Sequence, residues 1–435
     1  MKKFILLSLA IFLMFNVNVF TNGYECCLEG SGTAEDPYLI NDIDDLYEFF
    51  CPCSTQCSTD YYEGYVELTA DIDCNTPLES EGSFSPCSTI TFSGNFNGKN
   101  HKISNFTHNY GFFRTLSSSG ILRNLVLVNV NISGFSITGG IVDDNKGTIV
   151  NCRVSGNVRQ GIDVDRIPYN GTYGIGGLFG INSGLVKQSH ANCYVEGNNF
   201  VGGLGGYNEG QVINCSAKGN VSGYDYVGGL LGSNNYMDGG QGDQQELEDD
   251  PCPDTDIHIS YGYAAGAVSG NSYVGGLVGI NSCAIINNSY CTGNVSGEDY
   301  VGGFAGETNN NNVNNSYSMG SASAPGASCL GGFVGNNSGS TYNCCFYNTT
   351  NNPSPMSAAG CGSSSGVTGL PTSGFTNMSS IGCLFSNNNN NVWSMGASGP
   401  ILLGTTVPTL TEWAAIIFIG LLAIIGGIFI WRKVI

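Results

Sequence analysis

The chain is poor in charge. Of its 435 residues only 11% are charged, against about 25% in an ordinary globular protein. Lys and Arg number 14 beside 34 Asp and Glu, a net charge of −20. That balance, with no basic stripe visible in the sequence, argues against nucleic acid as a partner, because phosphates need clustered Lys and Arg. Histidine is scarce too. His101, His108, His190 and His258 are dispersed, with neither metal-ligand nor triad spacing. A P-loop motif is absent. Nothing in the sequence calls for a metal or another cofactor.

What is present is glycine, 64 residues of it, together with asparagine and 41% apolar residues. Tyrosine, phenylalanine and valine are too frequent for a disordered chain, so the composition points to an ordered, repetitive β protein. All eighteen cysteines fall between Cys26 and Cys383. In an oxidising compartment some should pair. The cluster Cys51, Cys53 and Cys57 reads as disulfide chemistry before metal chemistry, since no histidine is near and paired CxxC spacing is missing.

Both ends carry export features. "MKKFILLSLAIFLMFNVNVF" has two lysines followed by an apolar run, the layout of a secretory signal peptide over 1–22, with a retained anchor as the alternative. At the other end 17 uncharged residues, 414–430, lie between Trp413 and Trp431 and precede Arg432 and Lys433. This is the lower length limit for a transmembrane helix, and the terminal positive charge would sit in the cytoplasm. The chain's partner at this end would be the membrane.

Between the ends a Gly-Gly-apolar-x-Gly unit recurs at Gly176, Gly202, Gly228, Gly275, Gly302 and Gly331, with a degenerate copy at Gly139. A fixed period of this size marks a solenoid. Inserts interrupt the period at about 157–174 and 233–258, the second strongly acidic. Segments such as "VNCRVSG", "ANCYVEG" and "INCSAKG" alternate with period two, as strands do. Stacking the copies puts Cys152, Cys193, Cys215, Gly262, Ser289, Ser316 and Cys344 in one small-residue interior column. A second holds Val154, Val195, Ala217, Ala264, Cys291, Ser318 and Phe346. These cysteines are therefore expected as packed thiols, with disulfides among the N-terminal and insert cysteines. The glycines are expected at bends that need positive φ, and the apolar residue between them should plug the interior.

These units resemble the GLUG motif of bacterial surface and secreted proteins. "GSGTAEDPYLINDIDDLYEF", "YVELTADIDC", "FSGNFNGKNHKISNF" and "LRNLVLVNVNISG" read like the usual lead-in, and "GLPTSGFTN" onward like the usual close. The likeness covers roughly Gly30 to Leu403. It implies an all-β, right-handed parallel β-helix of adhesin-like surface proteins. The chain departs from the pattern in its cysteine content, in Asn97 where an aspartate is common, and in the acidic insert. "VPTLTEW" before the hydrophobic stretch is similar to an IPTL-type C-terminal sorting signal, with Val407 replacing the usual isoleucine. That resemblance implies an envelope sorting enzyme reading Pro408, Thr409, Leu410, Glu412 and Trp413, with Arg432 and Lys433 behind the helix. A plain tail anchor is the alternative.

The expected organisation is a signal peptide (1–22), a Cys-containing N-terminal cap (23–110), β-helix repeats (111–350), a closing segment (351–404) and a sorting region (405–435) with its single transmembrane helix. Catalytic carboxylates are sparse. Glu196, Glu209, Asp225, Glu298, Asp299 and Glu307 form no repeated column, and Asp143 and Asp144 beside Lys146 read as a solvated turn. The best binding candidates are two tyrosine columns. Tyr263, Tyr290 and Tyr317, with Tyr194, are expected to face outward. Tyr226, Tyr273 and Tyr300 precede the Val-Gly-Gly turns. Either could meet a surface glycan or protein ligand, or simply stabilise adjoining rungs. Sequons at Asn105, Asn220, Asn294 and Asn348 are numbers expected of an asparagine-rich chain. The sequence thus predicts an exported, non-catalytic cell-envelope stalk with an adhesive or structural role. A carbohydrate-active β-helix, lyase or hydrolase-like, with a site at the Asp225 and Asp299 face or in an insert is the alternative.

Overall fold

The computed structural model describes residues 28–52, 60–78, 83–86, 89–161, 174–235, 256–386 and 392–403. The signal peptide, most of both inserts, the sorting motif and the expected membrane helix lie outside these residues. Among the described residues no helix is long and apolar enough to cross a membrane.

The described chain is a parallel β-solenoid of about 10 turns. One turn shows the plan. Gln211–Ile213 lies in sheet A; Ser216–Ala217 and Val221–Ser222 lie in sheet B; Asp225–Gly228 lies in sheet D and Leu231–Asn235 in sheet C. Each strand pairs in parallel with its counterpart in the next turn, as Gln211 does with His258 and Val227 with Val274. The ladder begins before the glycine repeats: Tyr38–Ile40 already pairs with Tyr65–Leu68, and that strand with Asn95–Asn97.

Short strands stack here because each contributes one or two apolar side chains to a narrow dry interior. Val186, Val212, Ile259, Ile286 and Val313 form such a column, all fully buried. The residue between the motif glycines plugs the centre as expected: Leu178, Leu204, Leu230, Leu277, Phe304 and Phe333 are all fully buried. At the N-terminal end helix α1 (Ile43–Phe50) is capped by Asp42, whose carboxylate accepts the Asp44 and Asp45 amides at 3.0 Å. Its buried face sets Phe49 5.9 Å from Phe96 and Phe50 5.1 Å from Phe112, edge-on or tilted. At the other end Val367–Leu370 is the last strand of sheet B, and small helical turns and a hairpin, Trp393–Gly396 with Gly399–Leu402, pack back over that sheet.

Three expectations need correction. First, the motif glycines do not adopt positive φ. The left-handed residues are Phe200, Tyr226, Tyr273 and Tyr300, with φ between 49° and 56°. The glycines are required because the chain runs too close for a Cβ. One at Gly228 would lie 1.9 Å from the Leu231 oxygen, one at Gly229 2.1 Å from the Gly276 oxygen, and one at Gly232 2.4 Å from the Phe200 carbonyl carbon.

Second, the interior columns are shifted in two turns. Arg153 pairs with His190, so Cys152 aligns with Ser189, not Cys193, and Val154 with Ala191, not Val195. Tyr317 pairs with Phe346, which puts Cys345 beside Ser316 and Tyr347 beside Ser318. Cys193 is still buried, at 1% exposure, but in a neighbouring position.

Third, Cys344 is not a core thiol. It occupies the left-handed turn position (φ 54°) filled in other turns by Asn124, Asn151, Asn214, Asn288 and Asn315, and it is bonded to Cys383. Cys329 pairs with Cys361, and Cys51 and Cys283 are also disulfide-bonded. Cys152, Cys193, Cys215 and Cys291 are buried free thiols as expected; Cys345 is free and buried as well, and so is Cys74, one of the N-terminal cysteines expected to pair.

Candidate functional site

The two tyrosine columns have different fates. The Tyr226 column stands at the outer edge of sheet D, half-buried, with Phe200 beneath it. Rings follow each other at 4.7 Å from Phe200 through Tyr226 and Tyr273 to Tyr300, within 10° of parallel. This is the rung spacing of a parallel ladder, so ring faces are spent on one another and only edges remain for a partner. In the next turn the position belongs to Cys329, because Val301 pairs with Leu330. The Cys329–Cys361 bond therefore ends the stack.

The Tyr263 column lies on sheet B, and Tyr263, Tyr290 and Tyr317 also stack, at 4.3 and 4.9 Å. The expectation that it faces solvent is wrong for two of its three members: Tyr290 is 6% and Tyr317 2% exposed. The closing segment covers them. Trp393 lies 5.9 Å from Tyr290 and 5.7 Å from Tyr317, Phe375 packs on Tyr317, and the Tyr317 hydroxyl donates to the Pro400 carbonyl. Tyr263 is half-buried and carries a ring on one face only. Tyr194 is not in this column; it faces Asn157, with the Arg159 guanidinium 5.3 Å from its ring centre.

The acidic candidates act within turns. Asp225, Ser272 and Asp299 share one column of sheet D. Asp225 accepts the Ser272 amide at 3.2 Å; Asp299 accepts from the Tyr300 and Ser328 amides and from the Ser328 hydroxyl at 2.7 Å. Asp71 and Asp73 are structural, the first accepting the Lys102 amide and the second the Asn105 side-chain amide. Asp143 is no solvated turn. It is 1% exposed, accepts the Gly111 and Gly139 amides at 2.9 Å, and pairs with Arg114 at 3.0 Å. Burial outweighs these partners and pushes its carboxyl up to about 6. Asp144 and Lys146 do pair at the surface, at 3.1 Å. Among the described residues no three His, Cys, Asp or Glu side chains are grouped to hold a metal ion.

Two features escaped the sequence reading. The first is a buried amide ladder. Asn145, Asn182, Asn208, Asn234 and Asn281 are fully buried; each of the first four donates its Nδ2–H to the next side-chain oxygen at 2.5 to 2.7 Å, and Asn281 ends the ladder by donating to the Ala284 carbonyl at 2.9 Å. The signal was present: asparagine stands two residues after the third motif glycine in "GIN", "GYN" and "GSN". The second is a set of basic side chains brought together at the corner between sheets A and B. They come from different turns and form no run in the sequence.

The fold defines a class, a parallel β-solenoid, and one of its turns carries a recognised motif. Residues 197–222 match the model of the GLUG motif; they form one turn, from the sheet D strand through sheets C and A to sheet B. Among curated proteins the chain is similar to halomucin of Haloquadratum walsbyi, 34% identical over 164 residues. That match covers 35% of this chain, and the chain spans only 2% of halomucin's length. Among solved structures it is similar to a proposed immunoglobulin A1 protease from Bacteroides ovatus. The identity is 18%, the TM-score 0.35, and the likeness covers 86% of this chain and 94% of that one. At that TM-score the likeness extends to no activity.

Proposed function

We propose that the protein is exported to the cell envelope or cell surface. There its solenoid serves as a non-catalytic stalk with an adhesive or structural role. One observation carries this reading: a parallel ladder runs from Tyr38 to Leu370, with the aspartates of its repeats tied into turns. Disulfides at Cys329–Cys361 and Cys344–Cys383 support an oxidising location. The likeness to GLUG-type turns and to part of halomucin supports a surface setting. In this reading 1–22 directs export, Pro408 to Trp413 is read by an envelope sorting enzyme, and 414–430 holds the chain in the membrane at least before processing.

The test is labelling of intact producing cells with a membrane-impermeant reagent, followed by identification of the final C-terminal peptide. Labelled protein ending before Trp413 supports sorting, and recovery of Arg432 and Lys433 supports simple anchoring. Protein found wholly inside the cell would refute the surface reading. Attachment of cells with and without the gene to host, matrix and bacterial surfaces then separates adhesion from a purely structural role.

A further inference from the structure

Nine lysines and arginines lie among the described residues. Four are ion-paired: Lys99 with Glu67, Arg114 with Asp143, Lys146 with Asp144 and Arg159 with Glu196. The other five are Lys102, Arg123, Arg153, Lys187 and Lys218, and none has a carboxylate within ion-pair distance among the described residues. All five stand at one corner of the solenoid. Arg123 and Lys187 share a sheet A column, two turns apart with Val150 between them. Across the asparagine turn, Lys102, Val126, Arg153 and His190 follow one another in a sheet B column. Lys218 lies one turn further on, its amide donating to the Ala191 carbonyl.

Self-repelling cations left unpaired in a chain of net charge −20 call for an anion from outside. The donors are poised for one. Lys102, Lys187 and Lys218 are exposed, and Arg123 and Arg153 are half-buried. His190 is neutral at pH 7, held down to about 4 by burial and by Arg153 and Lys218. It donates no charge but marks how close those cations stand.

The form of the site selects its ligand. The cations follow the solenoid axis at turns about 4.8 Å apart, which suits an extended polymer with an anion on each unit rather than a single phosphate. The sheet B column then continues through Ser216 to Tyr263. Tyr263 stacks on Tyr290 with one face, and serine leaves its other face without a ring. A cationic strip ending in an open aromatic face matches a sugar chain carrying carboxylates. The disulfides argue for a compartment outside the cytosol.

We propose that this corner binds a linear acidic glycan along the solenoid axis, through Arg123, Arg153, Lys187 and Lys218, with a sugar ring on Tyr263. The proposal rests on the surface reading only for access to the glycan; binding by purified protein and labelling of cells are separate measurements.

The experiment is binding of the full-length protein to polygalacturonate, with neutral dextran and single-stranded DNA as comparators, at two salt concentrations. The expected result is retention by polygalacturonate that weakens with salt, little retention by dextran, and weaker retention by DNA. The combined variant Arg123→Gln, Arg153→Gln, Lys187→Gln and Lys218→Gln should lose about tenfold or more in affinity. Lys146→Gln, at a paired surface lysine, should stay within about twofold. Tyr263→Ala should weaken binding about threefold. If the combined variant melts early, Lys187→Gln with Lys218→Gln, both at exposed positions, should still lose about threefold. No binding to polygalacturonate, undiminished binding by the folded variants, or tighter binding to DNA would each overturn the proposal.

Discussion

The carbonyl carbon of Tyr273 lies only 2.4 Å from where a Cβ on Gly306 would stand. One turn of the solenoid folds its left-handed aromatic residue directly onto the third motif glycine of the next. The same contact recurs between Tyr226 and Gly279 at 2.6 Å and between Tyr300 and Gly335 at 2.5 Å.

Gly306→Ala should therefore cost about 3 kcal/mol, the upper range for overpacking, because the obstacle is backbone and cannot rotate away. Gly382→Ala meets nothing within 4 Å and should stay within about 0.5 kcal/mol. Urea unfolding of both variants checks the contrast; equal effects would contradict the close-approach account.

The Tyr226–Tyr273–Tyr300 stack uses rings, since Phe200 serves at its foot. Tyr273→Phe should change stability by less than about 0.5 kcal/mol. Tyr273→Val should cost about 2 kcal/mol or more, losing the stack and forcing a β-branched residue to φ 56°. Thermal melts that rank the two alike would remove the stacking argument.

Asn208 donates to Asn234 and accepts from Asn182. Asn208→Leu should cost about 3 kcal/mol, because it leaves a buried donor on one side and a buried acceptor on the other. Exchange of the neighbouring backbone amides should accelerate in the same variant.

Asp143 gives a pH dependence of definite sign. Its carboxyl is raised from 3.8 to about 6, so the folded state holds the proton more tightly than the unfolded chain. This contribution is fully present below about 3.8 and lost as pH rises through 6. Between pH 4 and 7 the native protein should lose up to about 3 kcal/mol relative to Asp143→Asn. A difference that grows in the other direction would show the Arg114 pair to dominate.

Cys344–Cys383 closes a separation of 39 residues and holds the cover over Tyr317. Cys383→Ser should lower stability by about 3 kcal/mol in non-reducing buffer. The variant should also expose Tyr290 and Tyr317 to iodination that the parent resists.

Much of this architecture was legible because it repeats. Leu204, Leu230 and Leu277 announce the interior plug at a constant place after each glycine. Register failed where side chains offered two equivalent readings. "ANC" at Cys193 imitates "VNC" at Cys152, yet the left-handed turn of that copy is Gln188, a residue with no special preference for it. Adjacent Cys344 and Cys345 made a one-residue shift invisible. Positive φ was assigned to glycine because bulky residues avoid it, whereas neighbouring turns hold the tyrosines there through the stack. The basic corner was hidden for another reason: Arg123 and Lys187 lie 64 positions apart in the sequence and fall into one column, with Val150 between them, only after winding.

The free thiols have a further use. Burial pushes Cys152, Cys193, Cys215 and Cys345 up to about 12, so almost no nucleophilic sulfur exists at neutral pH while the core stays shut. Alkylation must wait for a coil to breathe. Since these atoms sit at different heights along the axis, the order in which they are tagged would chart where fraying starts and how far it travels.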